Sequence, residues 1–117
     1  MLFRSVGSRV TVLEALPSIL PGVDAEASAI VGRLFKRRKV AVHTSVTVES
    51  GVVSDSGVAI TYSDGTTTTT VEAEVVVVSI GRTPRSGGIG LDGSGVEIDA
   101  RGFVGVDGRM RTAVPGV

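Results

Sequence analysis

Glu14 closes the strand-like run Arg9-Val10-Thr11-Val12-Leu13-Glu14. β-Branched and apolar residues fill that run, so its single carboxylate stands where a buried strand would leave a sheet. Ligands of open α/β sheets gather outside the carboxyl ends of the strands. An acid at the end of the second strand of a dinucleotide fold can accept hydrogen bonds from both hydroxyls of the adenosine ribose. It also repels a 2′-phosphate, which favours NAD over NADP. The competing reading is an ordinary polar residue at a strand terminus, and position alone leaves both open. Gly81 falls at a second strand end of the same kind, after Val75-Val76-Val77-Val78-Ser79-Ile80.

Other chemistry-bearing residues carry less. The fingerprint that accompanies a ribose-binding acid is G-x-G-x-x-G, about 20 residues ahead of it. Only 13 residues precede Glu14, and Gly7 is the sole glycine among them. The chain's one match is Gly88-Ile89-Gly90-Leu91-Asp92-Gly93. A phosphate cradle must open a helix, so that backbone N–H groups and the helix dipole face the anion. Here turn and strand material follows, Ser94-Gly95-Val96-Glu97-Ile98-Asp99, and the match is set aside. His43 stands alone near a strand end, without a carboxylate partner in the sequence, and reads as a surface residue. The basic run Lys36-Arg37-Arg38-Lys39 suits a phosphate or RNA patch, but equally a solvated helix end where cations oppose the dipole, which is the reading adopted.

Composition narrows the classes. The 117 residues suffice for one small domain, and 42% hydrophobic content excludes a disordered chain. Aromatics are 3%, so Val, Ile, Leu and Ala must build the core. Twelve basic and twelve acidic residues cancel, and no net field favours nucleic acid or an anionic membrane. Without cysteine there is no disulfide or thiolate site, and one histidine without an acidic cluster argues against a metal. No apolar run reaches membrane-spanning length, and the first five residues lack the apolar core of a signal peptide, which points to a cytoplasmic chain.

The elements that would position these groups follow from periodicity. Leu2, Phe3 and Val6 at helical spacing, with Gly7 behind them, read as the last turn of a helix. Residues 9–14 form a strand. Pro17, Pro21 and Gly22 then impose an irregular connection. Asp24 is the expected N-cap of a helix over residues 25–38, with Glu26 in its first turn and an apolar stripe of Ala27, Ile30, Val31, Leu34 and Phe35. Residues 40–43 form the next strand, and strand–helix–strand at this length implies a crossover and a parallel sheet. Strands at 46–50, 58–63 and 70–78 then follow without helices, and Asp64-Gly65 marks a hairpin because such turns need positive φ. The threonine run 66–70 belongs to an exposed strand of this antiparallel meander. Residues 71–74 alternate, whereas the four valines 75–78 do not. The last strand is therefore expected to leave the meander and enter the buried parallel sheet. A short strand is expected near residues 103–106.

Three segments, met in this order, resemble the pyridine nucleotide–disulfide oxidoreductase family. VGSRVTVLEALPSILPGVDAEAS is similar to the second strand and following helix of the family's NAD-binding domain. VEAEVVVVSIGRTPRSGGIGL contains its G-R-x-P segment at Gly81-Arg82-Thr83-Pro84. GVEIDARGFVGVDGRMRTAVPGV is similar to the stretch leading back toward the FAD domain. The resemblance implies an α/β fold: a partial Rossmann-like NAD-binding domain, with one crossover helix, a parallel sheet and an antiparallel meander. It implies that Glu14 binds the ribose, that the backbone of Val46 meets the adenine side of NAD, and that Gly81 lies against the nicotinamide half. Arg82 and Pro84 would shape that loop.

The departures from the family are equally plain. Its first strand and phosphate loop, its FAD domain with the redox disulfide and its acid–base pair have no counterpart here. The expectation is a truncated NAD-binding domain over residues 1–107, with the meander inserted at about 44–74, and the start of a return linker over 108–117. It is a piece of an FAD-dependent parent, itself a homodimer, that holds part of an NAD site and has no catalytic residue of its own. Without the first strand, the valines of 75–78 risk exposure. NADH oxidases and mercuric reductases share these segments. A self-standing, non-catalytic α+β binding module is the alternative from another class.

Overall fold

The computed structural model describes residues 2–117. Its order is α1 (Leu2–Ser5), β1 (Thr11–Leu13), α2 (Ala25–Arg37), β2 (Ala41–His43), β3 (Thr47–Ser54), β4 (Gly57–Ser63) and β5 (Thr68–Ala73). The chain divides into two compact units, Met1–Val77 and Val78–Val117. Met1, the first residue of the segment tested above for a signal peptide, lies outside the described residues.

In the first unit β1 and β2 pair in parallel, with Thr11 opposite Ala41, Val12 opposite Val42 and Leu13 opposite His43. α2 makes the crossover and packs on β2. Asp24 caps it as expected, accepting from the N–H groups of Glu26 (2.9 Å) and Ala27 (3.1 Å). The buried face is rotated from the expected stripe. Val31, Leu34 and Phe35 are half-buried, whereas Ala27 and Ile30 are exposed. Ser28 is buried instead, because its hydroxyl meets Ser18 Oγ at 2.6 Å and ties the proline-bearing connection onto the helix.

β3, β4 and β5 form an antiparallel sheet in that order. Asp64 organises the β4–β5 turn: one carboxylate oxygen accepts from Thr66 N–H (2.9 Å), Thr66 Oγ1–H (2.7 Å) and Thr67 N–H (2.8 Å), and Gly65 supplies φ +90°. Thr68, Thr69 and Thr70 lie exposed in β5, as the meander reading expects.

The last strand corrects the expected path. β5 ends at Ala73, opposite Val58. Its partner β4 begins at Gly57, so residues 74–78 have no strand to continue against. Val75, Val77 and Val78 are 74%, 66% and 73% exposed, and the four valines join no sheet. Entry into a buried parallel sheet does not occur among the described residues, and exposure is the outcome.

The second unit has no helix or strand among its residues, and the strand expected near 103–106 is reduced to one antiparallel bridge, Ile98 to Val104. Two loops of the same construction stand in its place. Asp99 Oδ1 accepts from Arg101 N–H (2.8 Å) and Phe103 N–H (2.9 Å), and Asp107 Oδ1 accepts from Arg109 N–H (2.8 Å) and Arg111 N–H (3.0 Å). Each Asp N–H also bonds the carbonyl four residues on, Asp99 to Phe103 and Asp107 to Arg111. These donors hold both carboxyls below the usual range, Asp99 chiefly through Phe103 N–H and Asp107 chiefly through the Arg111 side chain. The fourth position of each loop is left-handed: Gly102 at φ +87° in the first, Met110 at φ +60° in the second.

Two outcomes follow. Met110 occupies a conformation that its partner loop assigns to glycine. Met110→Gly should therefore stabilise the second unit by about 0.5–1 kcal/mol, and Met110→Val should destabilise it, in denaturant melts. The Thr66 hydroxyl and the Thr66 and Thr67 amides pull the Asp64 carboxyl down from 3.8 to about 2. Because the folded value lies below the unfolded one, the turn's charge-dependent stabilisation is complete above about pH 4 and is lost as pH falls through about 2. Carboxyl-carbon NMR titration should place the Asp64 midpoint there, and Asp64→Asn should abolish the matching pH dependence of Thr67 amide exchange.

Candidate functional site

The carboxyl ends of β1 and β2 emerge side by side at Glu14 and Thr44. The ladder continues one step past the strands, where Glu14 N–H donates to His43 C=O at 2.9 Å. The two exits are then cross-tied. Val46 N–H donates to Glu14 C=O at 3.2 Å, and Ser45 N–H donates to Leu16 C=O at 3.1 Å. Ser45 makes this possible by taking φ +55°, which turns the chain from β2 toward β3 and aims consecutive amides back at the β1 exit. Val46, at 5% exposed, is among the most buried side chains of the first unit. His43 is half-buried rather than a surface residue: its ring lies 5.3 Å from that of Tyr62, tilted by 46°, which links the parallel pair to β4.

Glu14 is half-buried, and Oε1 accepts from Leu16 N–H at 2.9 Å. That bond is the ordinary strand-end role the sequence left open, a side chain capping its own turn. An ionised carboxylate has about four acceptor sites, so one amide leaves Oε2 and part of Oε1 for further donors. Among the described residues nothing else bonds this carboxylate. The arrangement is a carboxylate fixed by its backbone on three counts, with acceptor capacity to spare at the end of a parallel strand pair. It fits a vicinal diol, which offers two adjacent O–H donors.

Val46 is thus joined to Glu14 by a direct bond. With its N–H committed there, its C=O is the backbone group left to offer a ligand. Gly81 belongs to the second unit. It is exposed, with φ +147° and nothing within 4 Å of where a Cβ would project. The loop after it is pinned: Ser86 Oγ–H donates to Gly102 C=O at 2.5 Å, and Pro84 Cγ lies 3.0 Å from the Cβ position of Gly102. Arg82, Thr83, Pro84, Arg85 and Phe103 line a cavity of about 440 Å³ there.

The Gly88–Gly93 glycines lie in turns with no helix behind them, as reasoned. Among the described residues no three His, Asp or Glu side chains gather as metal ligands, and no helix is long and apolar enough to cross a membrane. Sequence reasoning missed Leu16 and Ser45. An amide two residues past an acid is a recognisable turn pattern, but serine gives no sign of a left-handed backbone.

This chain belongs to the pyridine nucleotide-disulphide oxidoreductase family, whose model matches residues 1–117. It is 37% identical over 116 residues to the dihydrolipoyl dehydrogenase of Chlorobaculum tepidum, covering 98% of this chain and 24% of that protein. It is 38% identical over 117 residues to the dihydrolipoamide dehydrogenase of Chaetomium thermophilum, covering 97% and 23%. Among solved structures, LpdA of Mycobacterium tuberculosis superposes with a TM-score of 0.74 at 29% identity, covering 95% of this chain and 24% of that one. The chain spans about a quarter of the length of these relatives. The α/β reading is correct: a parallel strand pair with its crossover helix, plus an antiparallel three-stranded sheet.

The cross-tie depends on the Ser45 conformation. Ser45→Val, β-branched at positive φ, should lower the stability of the first unit by about 1–2 kcal/mol, while Ser45→Gly should not. Urea denaturation followed by circular dichroism checks both.

Proposed function

We propose that this chain supplies the adenosine edge of the NAD site of an FAD-dependent NAD(H) oxidoreductase, with dihydrolipoamide dehydrogenase the activity of the parent. The observation that carries it is the anchored Glu14 carboxylate, tied through its own carbonyl to Val46 at the exit of a parallel pair. In this reading Glu14 accepts the ribose hydroxyls, the Val46 carbonyl meets the adenine amino group, and Gly81 leaves backbone room on the nicotinamide side. The 32–38% identity to dihydrolipoyl dehydrogenases across the whole chain supports the choice of activity.

Bound NAD supplies a hydride-accepting ring; what this chain's own residues do is bind and orient the adenosine half. None of the described residues forms a helix-opening glycine cradle for the pyrophosphate, so affinity must be low. Without cysteine they hold no redox disulfide, and in this reading the flavin is bound by another part of the parent. Hydride and disulfide chemistry, and the homodimer, belong to the parent enzyme in this proposal.

The test is amide NMR of the chain titrated with NAD and with NADP. The expected outcome is a Kd no tighter than about 1 mM for NAD. Shifts should fall on Glu14, Leu16 and Val46, and should be reduced for NADP and for Glu14→Ala. Micromolar affinity, equal response to NADP, or shifts confined to residues 88–93 would each overturn the assignment.

A further inference from the structure

At the opposite, amino-terminal rim of β1 and β2 the chain gathers four cations that the adenosine edge does not use. Arg37 ends α2, Arg38 caps it and Lys39 follows, and Arg4 joins them from α1. Together with Ser5 and Gly7 they line a shallow, open cavity of about 370 Å³. Arg4 is preorganised. Its Nε–H donates to Arg38 C=O at 2.8 Å, and its Nη1 donates to Gly7 C=O at 3.4 Å and Ser8 C=O at 3.2 Å, which leaves Nη2 uncommitted. Lys39 is held at φ +58° between α2 and β2. The lining holds no carboxylate, and the ion pairs among the described residues involve Arg101 and Arg111 instead.

The solvated helix end adopted from sequence accounts for cations one at a time. A helix C-terminus carries only about half a negative charge. Most of its last carbonyls are already taken: Leu34 and Phe35 accept from Arg38 N–H, Phe35 also from Val40 N–H, Lys36 from Lys39 N–H and Arg38 from Arg4. Four full positive charges around one cavity therefore exceed what the dipole offsets.

We propose that this cavity binds a diphosphate group. The guanidinium forks of Arg37 and Arg38 can match phosphate oxygens two at a time, Arg4 offers its Nη2, and the ammonium of Lys39 adds a point charge. Two linked phosphates bring enough negative charge, in a compact form, to answer four cations converging on one cavity. An extended acidic peptide would spread its carboxylates beyond them. The site is independent of the adenosine edge, because it lies at the other end of the same two strands.

The experiment is calorimetry and amide NMR on the full chain at low salt, with inorganic pyrophosphate, inorganic phosphate, uridine diphosphate and polyglutamate. Pyrophosphate should bind about tenfold more tightly than phosphate, weaken as salt rises, and shift the amides of residues 4–8 and 36–40 but not Glu14 or Val46. Uridine diphosphate binding more tightly than pyrophosphate would identify a nucleotide as the source of the group; equal binding would identify the free anion. Arg4→Gln removes backbone bonds and can unfold α1, so the deciding variant is Arg37→Gln with Lys39→Gln, whose side chains hold no hydrogen bond among the described residues. It should keep the circular dichroism of the parent chain and lose at least about tenfold in pyrophosphate affinity. Unchanged affinity in that variant, no binding of pyrophosphate, or preference for polyglutamate would overturn the proposal.

Discussion

Two parallel strands of three residues each cannot stand as a sheet on their own ladder, because parallel pairs are weak per residue and both strands need support. The bond from Val46 N–H to the Glu14 carbonyl supplies it. With its neighbours from Glu14 to His43 and from Ser45 to Leu16, it extends the contact between the two exits beyond the six paired residues. Each such bond contributes only about 0.5–1.5 kcal/mol net. Their effect is nonetheless concentrated, because all three close the rim on which the candidate site stands. The Glu14 carboxylate inherits its position from them: its N–H and C=O are both fixed, and its own turn holds Oε1.

The rest of the packing is thin. Among the described residues Val40, Val46 and Tyr62 are the buried apolar side chains, at 5–8% exposed, and none is fully enclosed. Two of the three bear on the site, since Val46 belongs to it and Tyr62 carries the His43 ring. What order the first unit has is therefore centred where β2 hands over to β3. The valines at 75–78 show the converse. β-Propensity describes a fit to a pleated surface, and a run of valines without a partner strand gains nothing from it. Their exposure leaves an apolar surface larger than scattered single residues would give.

Local chemistry made much of this legible. The Asp24 cap, the Asp64-Gly65 turn and the crossover helix each rest on interactions within a few residues, and the sequence patterns that specify them are complete in themselves. Glu14 was legible as an acid at a strand exit, and its bond to Leu16 is a local turn pattern that went unread; the commitment of the Val46 amide was not legible. That commitment depends on Ser45 adopting φ +55°, a conformation that tertiary pairing imposes on a residue with no preference for it. The same limit applies to α2. Periodicity placed Ala27 and Ile30 on the inner face, whereas Ser28, hydrogen-bonded to Ser18 of the connection, is the buried residue of the helix.

Charge illustrates how a sum conceals an arrangement. Twelve cations and twelve anions cancel over the chain, and this balance argues correctly against a long-range field. It sets no limit on the local potential within a Debye length, about 8–10 Å at ordinary ionic strength. Within that distance the two rims of one strand pair differ. The carboxyl rim presents one anchored acid, and the amino rim presents Arg37, Arg38 and Lys39 without a counter-charge in the cavity lining. The run 36–39 alone reads as a helix end because the sequence shows only its own neighbours. Arg4 lies 34 residues from Arg38, and only the return of the chain through β1 and α2 brings its guanidinium onto the Arg38 carbonyl. That carbonyl bond fills an orphan acceptor of the helix end, so none of the run's own cations is needed to satisfy it.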